Sequence, residues 1–339
     1  MSHTVLPSPI KIVASVLLGL LSAAPVSAQD FDKLDQAAQG LPRLQSLLIS
    51  RGSNLLFEAY YNGRDRHQAA NMKSASKSVI SALVGIALQE GIIKSLDQPI
   101  GDFFPDYLSA DNPSTASITI EDLLTMESGL ASTSDDRTYG RWAISDDWVR
   151  FVLEQPLVAA PGQRMIYSTE STHLLSAILT RATGMDTRSF AQRYLLNPLN
   201  AKITYWSRDP QGIYFGGNDM EMTPRDMLAF GQMYLNKGVF QGKRVLPSDW
   251  VAVSHEPHAA SPRGQGRYYG YGWWLRDFAG MRVPVAWGYG GQFIIVIDEF
   301  DLVVVATSKS TPGSDRRRHL RALYDLLEEQ IILPLAAGS

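Results

Sequence analysis

The sequence predicts a mixed α/β (α+β) fold: an antiparallel sheet built from both chain ends, flanked by helices, with an all-helical lobe inserted between. Three observations carry this. The runs Leu47-Leu48-Ile49 and Leu55-Leu56-Phe57 flank Arg51-Gly52-Ser53, a hairpin pattern that ends in the turn Tyr60-Tyr61-Asn62-Gly63. Dense β-branched runs return late in the chain, from Phe293 to Ile297 and from Leu302 to Ala306, joined by Asp298-Glu299-Phe300-Asp301 as neighbouring buried strands. Between these ends the chain reads as helices broken by loops. Strands, then helices, then strands and a last helix assemble one sheet from two distant segments.

The helices have identifiable causes. From Ser78 to Ile92 the chain is apolar on nearly every face, the pattern of a helix buried all round, with Gly91 near its end as a stop. Thr119 is placed to cap Ile120–Met126, which stops at Ser128-Gly129. Trp148 to Leu153 is a further helical patch, closed by Pro156. Leu174, Leu175, Ile178 and Leu179 give helical spacing between Thr169 and the terminal Gly184. Thr223-Pro224 opens another helix, with proline in its first turn. Gly270 to Leu275 reads as a short aromatic strand. The basic cluster Arg316-Arg317-Arg318-His319 with Arg321 opens a final amphipathic helix through Leu320, Leu323, Leu326 and Leu327, its basic side read as a solvated face. The sheet lobe is expected at about 29–100 and 225–339, and the helical lobe at about 101–224.

Residues 1–28 read as a signal peptide. Lys11 precedes the apolar run Ile12–Ala24, and Val26 and Ala28 stand at the −3 and −1 positions of a cleavage site before Gln29. The run is short for a membrane span, which takes about 20 apolar residues. The expectation is an exported bacterial protein, periplasmic or secreted, with no stable membrane anchor after cleavage and residues 29–339 as one domain. The chain has no cysteine, so disulfides are excluded and stability falls to the core. A net charge of −3 with 19% charged residues argues against a nucleic-acid partner. No oligomeric state is legible. His255-Glu256-Pro257-His258 lacks the spacing of a helical zinc motif and contains proline, so it reads as a surface loop; no metal or cofactor is expected.

Ser74-Ala75-Ser76-Lys77 stands at the start of the buried helix. At i and i+3 the hydroxyl and amine share one helix face. The helix N-terminus favours a developing alkoxide, and the Ser74 N–H can point at an oxyanion. A lysine packed on apolar helix loses hydration, which lowers its pKa towards that of a base useful near neutrality. Ser8-Pro9-Ile10-Lys11 matches the same pattern, but only the Ser74 copy precedes an apolar helix. Tyr167, preceded by Pro161-Gly162, either shares a proton with Lys77 or is a buried hydrogen-bonding tyrosine. Gly288-Tyr289-Gly290-Gly291-Gln292 leads into a strand; the glycines either let a substrate backbone approach, with the Gln292 N–H as second oxyanion donor, or make a tight turn. Glu170 and His173, near Tyr167, read as groups that cap and solvate the following helix. An α/β-hydrolase is excluded because no G-x-S-x-G occurs.

These three elements, in this order, resemble the β-lactamase and penicillin-binding-protein superfamily of S-x-x-K serine hydrolases. The likeness runs from about Leu47 to Pro334 and includes Leu96-Asp97-Gln98-Pro99-Ile100, Leu123-Leu124-Thr125-Met126, Met222-Thr223-Pro224-Arg225-Asp226 and Tyr271-Gly272-Trp273-Trp274. Within the superfamily the chain is most similar to class C β-lactamases and their relatives: family VIII esterases, D-amino-acid peptidases and 6-aminohexanoate-dimer hydrolases. The phrase from Trp206 to Gly212, followed by Gly216-Gly217, leans towards the last. The resemblance implies Ser74 as acylated nucleophile, Lys77 and Tyr167 as general base and acid, and backbone N–H groups of Ser74 and Gln292 as the oxyanion hole. Tyr289, Gly290 and Gly291 are the implied substrate-binding residues.

Two departures bear on substrate. Tyr167-Ser168-Thr169 stands where class C β-lactamases carry Tyr-Ala-Asn, and Tyr289-Gly290-Gly291 where they carry Lys-Thr-Gly. The second removes a cation expected to grip a β-lactam carboxylate. A small-molecule ester or linear amide fits better, with Tyr289 and one or more of Trp142, Trp206 and Trp274 shaping the pocket, unless those tryptophans pack in the core. The alternatives are a non-hydrolytic penicillin-recognising or scaffold protein, and a true β-lactamase or D-amino-acid peptidase.

Overall fold

The computed structural model describes residues 28–108, 113–262 and 264–337, so the leader segment 1–28 lies outside it except for its last residue. Thirteen strands are described. β1 (Leu44–Arg51) and β2 (Asn54–Tyr60) form the expected hairpin, and β3 (Ala70–Asn71) follows. β4 (Ile203–Trp206), β5 (Met220–Met222), β6 (Val239–Phe240) and β7 (Lys243–Arg244) come after the helical region. The chain ends with β8 (Ala259–Ala260), β9 (Tyr268–Tyr269), β10 (Trp274–Phe278), β11 (Met281–Gly288), β12 (Gln292–Ile297) and β13 (Leu302–Ser308). One antiparallel sheet runs in the order β2-β1-β13-β12-β11-β10-β9-β8, joining both chain ends as the sequence requires.

Every residue of β12 and β13 is buried, because helices cover both faces of the sheet. The period of two sorts their side chains. Ile294, Val296, Val303 and Val305 join the core shared with the helical lobe. Phe293, Ile295, Ile297, Leu302 and Val304 face the opposite layer, built by helix α1 (Ala28–Gln39) and the C-terminal helix.

The helices that frame the site are α2 (Ser76–Gln89), α3 (Ile120–Leu124), α4 (Asp136–Ala143), α5 (Trp148–Leu153), α6 (Thr169–Thr183), α7 (Pro224–Leu235) and α8 (Arg316–Leu327), with further short helices between. Their caps are the ones expected. Thr119 and Asp122 make a reciprocal capping box, the Thr223 hydroxyl accepts the Asp226 N–H, and Gly184 ends α6 at φ +67°. Helix α2 is buried from Ser76 to Ala87, passing between sheet and helical lobe. A Cβ on its Gly85 would fall 2.4 Å from the Trp250 ring, so that crossing needs glycine.

One expectation needs correction. The aromatic strand begins at Trp274 rather than Gly270, because Gly270 is pressed on the Ser254 carbonyl and Gly272 takes φ +77°. The strand β11 and a small sheet ordered β3-β5-β4 have no counterpart in the sequence reading. The segment from His255 to His258 is exposed only at Glu256 and Pro257. His255 stacks on Tyr234 with centroids 5.3 Å apart and lies 4.9 Å from Trp273, while His258 stacks 4.2 Å from Tyr271. Burial pulls His255 down to a pKa of about 3. Among the described residues no group of His, Asp or Glu is arranged to hold a metal ion, and no helix is long and apolar enough to cross a membrane.

Candidate active site

The site is built outward from β3. Met72 follows it and donates its N–H to the Met220 carbonyl at 2.8 Å, fixing the chain just before the turn. Lys73 then takes φ +52°, a conformation costly for a side chain with a Cβ. The surroundings hold it there. The Asn71 carboxamide oxygen accepts the Lys73 N–H at 3.0 Å, and Asp219 receives both Asn71 Nδ2 at 3.0 Å and Lys73 Nζ at 3.3 Å. Ser74 comes next, in a short 3-10 turn that runs directly into α2. It therefore stands just ahead of the helix, at the end where the dipole is positive.

One turn on, Lys77 is 1% exposed. Its three ammonium protons have three acceptors: the Gly217 carbonyl at 2.7 Å, Ser74 Oγ at 3.3 Å and Thr169 Oγ1 at 3.4 Å. Burial pulls the Lys77 pKa down to about 7, against the opposing charge of Glu170. The Tyr167 ring lies 5.3 Å from Nζ, stacked on Trp274 at 5.6 Å and edge-on to Tyr269 at 6.3 Å. The Gly217 contact depends on glycine: a Cβ there would come 2.6 Å from Thr169 and 3.0 Å from Lys77 Nζ. Gly216 is packed equally hard on the Thr172 carbonyl.

Behind Lys77 lies a polar cluster from α6. Ser134 Oγ donates to Thr169 Oγ1 at 3.1 Å and accepts the Thr169 N–H at 2.8 Å, and Ser168 Oγ donates to Glu170 at 2.5 Å. Glu170 and His173 are fully buried, which corrects the expectation that they solvate the helix. The serine hydroxyls of Ser168 and Ser134 give the buried Glu170 carboxyl its hydrogen bonds. His173 Nε2 lies 3.0 Å from Asp209 Oδ2, both side chains wholly enclosed, with Trp142, Trp148 and Phe215 around the imidazole.

Tyr289-Gly290-Gly291 is the β11–β12 turn, with φ +89° and +104° at its glycines. Gly288 lies directly against the nucleophile turn, since a Cβ there would sit 2.1 Å from the Met72 carbonyl oxygen. A cavity of about 530 Å³ opens above Ser74, and Tyr167, Thr169, Trp274, Trp287 and Tyr289 line it. Gly290, Gly291 and Gln292 are not part of this lining. Gln292 is fully buried, its amide clasping Ser308 through Nε2 to the carbonyl at 2.6 Å and Oε1 from the N–H at 3.3 Å. Of the tryptophans considered, Trp274 lines the cavity whereas Trp142 and Trp206 belong to the core.

The cavity also holds residues the sequence reading did not select: Ser134, Tyr139, Asn218, Trp287 and Arg316. Trp287 was accessible in principle, standing near the end of β11 two positions before Tyr289. Arg316, read as solvated, has its guanidinium 4.3 Å over the Tyr289 ring. His319, from the same basic cluster, is buried 2.9 Å from Ser308 Oγ, and burial lowers its pKa to about 4.

An antiparallel sheet joined to a helical lobe, with Ser-x-x-Lys and a tyrosine at their junction, defines the class of β-lactamase-fold hydrolases. The Beta-lactamase family model matches residues 35–328, and the chain belongs to that family. It is 28% identical over 346 positions to the 6-aminohexanoate-dimer hydrolase of Paenarthrobacter ureafaciens, covering 88% of this chain and 84% of the relative. Among solved structures it is similar to EstCE1, described as a hydrolase with promiscuous acyltransferase activity, with a TM-score of 0.73 at 17% identity over 89% of this chain and 100% of the other. It is also similar to the octameric penicillin-binding protein homologue of Pyrococcus abyssi, with a TM-score of 0.67 at 19% identity over 87% and 77%.

Proposed function

We propose that this protein is an exported serine hydrolase that cleaves a small ester or linear amide through an acyl-enzyme on Ser74. The observation that carries the reading is Lys77: a buried amine 3.3 Å from Ser74 Oγ whose pKa is drawn to about 7, so that a large fraction is neutral at physiological pH. Neutral Lys77, with Tyr167 beside it, takes the Ser74 proton as Oγ attacks the carbonyl carbon. The Ser74 N–H and a second backbone N–H hold the oxyanion. We assign that second donor to Gln292, the first residue of β12, whose partner across the ladder, Gly288, lies against the turn that carries Ser74. Tyr167 protonates the leaving group, and water then releases the acyl group with the same base.

The aromatic cavity wall supports an ester or linear amide over a β-lactam, as does the likeness to a relative named for hydrolysis of a 6-aminohexanoate dimer. The leader-like pattern in residues 1–28 supports export to the periplasm or beyond. The test is mass-spectrometric mapping of a fluorophosphonate adduct together with p-nitrophenyl ester turnover. Adduct on Ser74, and loss of turnover in Ser74→Ala with the fold intact, is the expected result. Adduct on another serine would overturn the assignment, and a stable acyl adduct without turnover would favour a penicillin-recognising binder.

A further inference from the structure

A second, smaller cavity of about 160 Å³ adjoins the catalytic one; it is lined by Arg267, Trp274, Arg276 and Trp287, and both tryptophans also line the cavity above Ser74. The register explains the arrangement. Trp274 pairs with Val285 and Arg276 with Val283, so Trp274, Arg276 and Trp287 project from one face of the β10–β11 ladder. That face meets α8, where Arg276 Nη1 donates to the Tyr324 hydroxyl at 2.8 Å and the guanidinium lies 4.4 Å over the Tyr324 ring.

We propose that Arg276 and Arg267 form a carboxylate-binding subsite, so that the substrate carries an anionic group separated from the scissile carbonyl by a short apolar spacer lying between Trp274 and Trp287. This deepens the hydrolase reading and rests on it. Among the described residues no carboxylate pairs with Arg276. Its neighbours are a phenol, two indoles and a second cation, a setting that leaves a half-buried guanidinium short of negative charge. Burial first, then the Arg267 charge, pull Arg276 below the ordinary guanidinium range, against the Tyr324 contact. A substrate carboxylate answers both penalties, and the planar guanidinium fork matches it in two parallel hydrogen bonds. The indole walls take the methylene spacer, which gains by leaving water. The subsite lies on β10, β11 and the loop before them.

The experiment compares matched esters with and without the charge. One series is p-nitrophenyl hydrogen adipate against p-nitrophenyl hexanoate, with the carboxylate on the acyl side; the other is the butyrate of 4-hydroxybenzoate against phenyl butyrate, with it on the leaving side. In at least one series the wild type prefers the carboxylated ester. Arg276→Gln cuts that preference about 10- to 100-fold, as expected for a lost charge-assisted pair, and Arg276→Lys restores part of it. Arg267→Gln, in an exposed loop where folding is not at risk, lowers the preference in the same direction. Adipate titrated into Ser74→Ala with tryptophan fluorescence separates the subsite from the chemistry. A saturable quench that Arg276→Gln or Arg267→Gln weakens supports the subsite even if no ester turns over, which would sink the hydrolase reading alone. Ester turnover with no charge preference in either series and no quench sinks the subsite and leaves the hydrolase reading standing.

Discussion

The Gly217 carbonyl oxygen sits 2.7 Å from Lys77 Nζ, the shortest of that amine's three hydrogen bonds. The contact couples the nucleophile helix to the loop between β4 and β5, and it exists because residue 217 has no side chain. Gly217→Ala should therefore lower kcat by roughly 10-fold or more, since a misplaced base loses much of its general-base contribution. The mutant's circular dichroism should match wild type, with KM changed less than kcat. Unchanged kcat would show that this carbonyl does not position the amine.

Lys77 sets the expected pH profile. Burial holds its pKa near 7, below the ordinary lysine value of about 10.4. The neutral form needed to accept the Ser74 proton grows as pH rises through 7, so kcat/KM should climb on its acid limb with an apparent pKa near 7. Lys77→Arg, cationic at every accessible pH, should remove most of the activity, by about 100-fold or more. A limb that persists unchanged in a partly active Lys77→Arg variant would assign the titration elsewhere.

The same residue should cost stability. Between about pH 7 and 10.4 the unfolded chain binds a proton at Lys77 that the folded chain does not. The penalty is full below pH 7 and is relieved as pH rises across that window. Lys77→Met should then be more stable than wild type by a few kcal/mol at pH 6, with the gap closing by pH 10. Urea unfolding at the two pH values reads the difference directly.

His173 and Asp209 form a pair with no exposed surface on either side chain, and Asp209 Oδ1 also accepts the Ile213 N–H at 2.8 Å. The pair pins α6 to the loop that carries Gly217. Removing one partner leaves the other buried alone, so His173→Ala should cost about 3–5 kcal/mol in urea unfolding. Substituting both residues by apolar groups of similar size should cost less than the single change if the penalty comes from the stranded partner.

The sheet was legible where physics acts locally. The cores of β12 and β13, Phe293–Ile297 and Leu302–Ala306, are unbroken apolar runs of strand length, and the caps at Thr119, Gly184 and Thr223 follow from neighbouring residues alone. β11 was not, because Arg282 and Pro284 interrupt its pattern, and two residues are too few for β3 to show any period. At the site, Ser74, Lys77 and Tyr167 were found by spacing and type. Glu170 reads as an ordinary first-turn acid until Ser134 and Ser168 close around it, and Arg316 reaches the cavity only because α8 docks beside the β11–β12 turn.

Gly288 offers the most direct check on how that turn meets the nucleophile. With only 2.1 Å between an added methyl carbon and the Met72 carbonyl oxygen, Gly288→Ala must push β11 away from the turn that carries Ser74. The methyl is fixed to one backbone and the oxygen belongs to another, so no side-chain rotation relieves the clash. Separating the strand end from Ser74 would pull the N–H of Gln292, the ladder partner of Gly288, out of reach of the oxyanion, and loss of one such donor costs about 100- to 1,000-fold in kcat. Fluorophosphonate labelling of Ser74 should slow in parallel, since that reaction also develops charge on an oxygen held by the same donors. Gln292→Ala provides the contrast. Because alanine keeps the backbone N–H, this variant should lose stability through the broken clasp on Ser308 yet keep most of the kcat of the folded fraction, whereas a kcat loss matching Gly288→Ala would show that the clasp, and not the distance of the strand from Ser74, sets the donor.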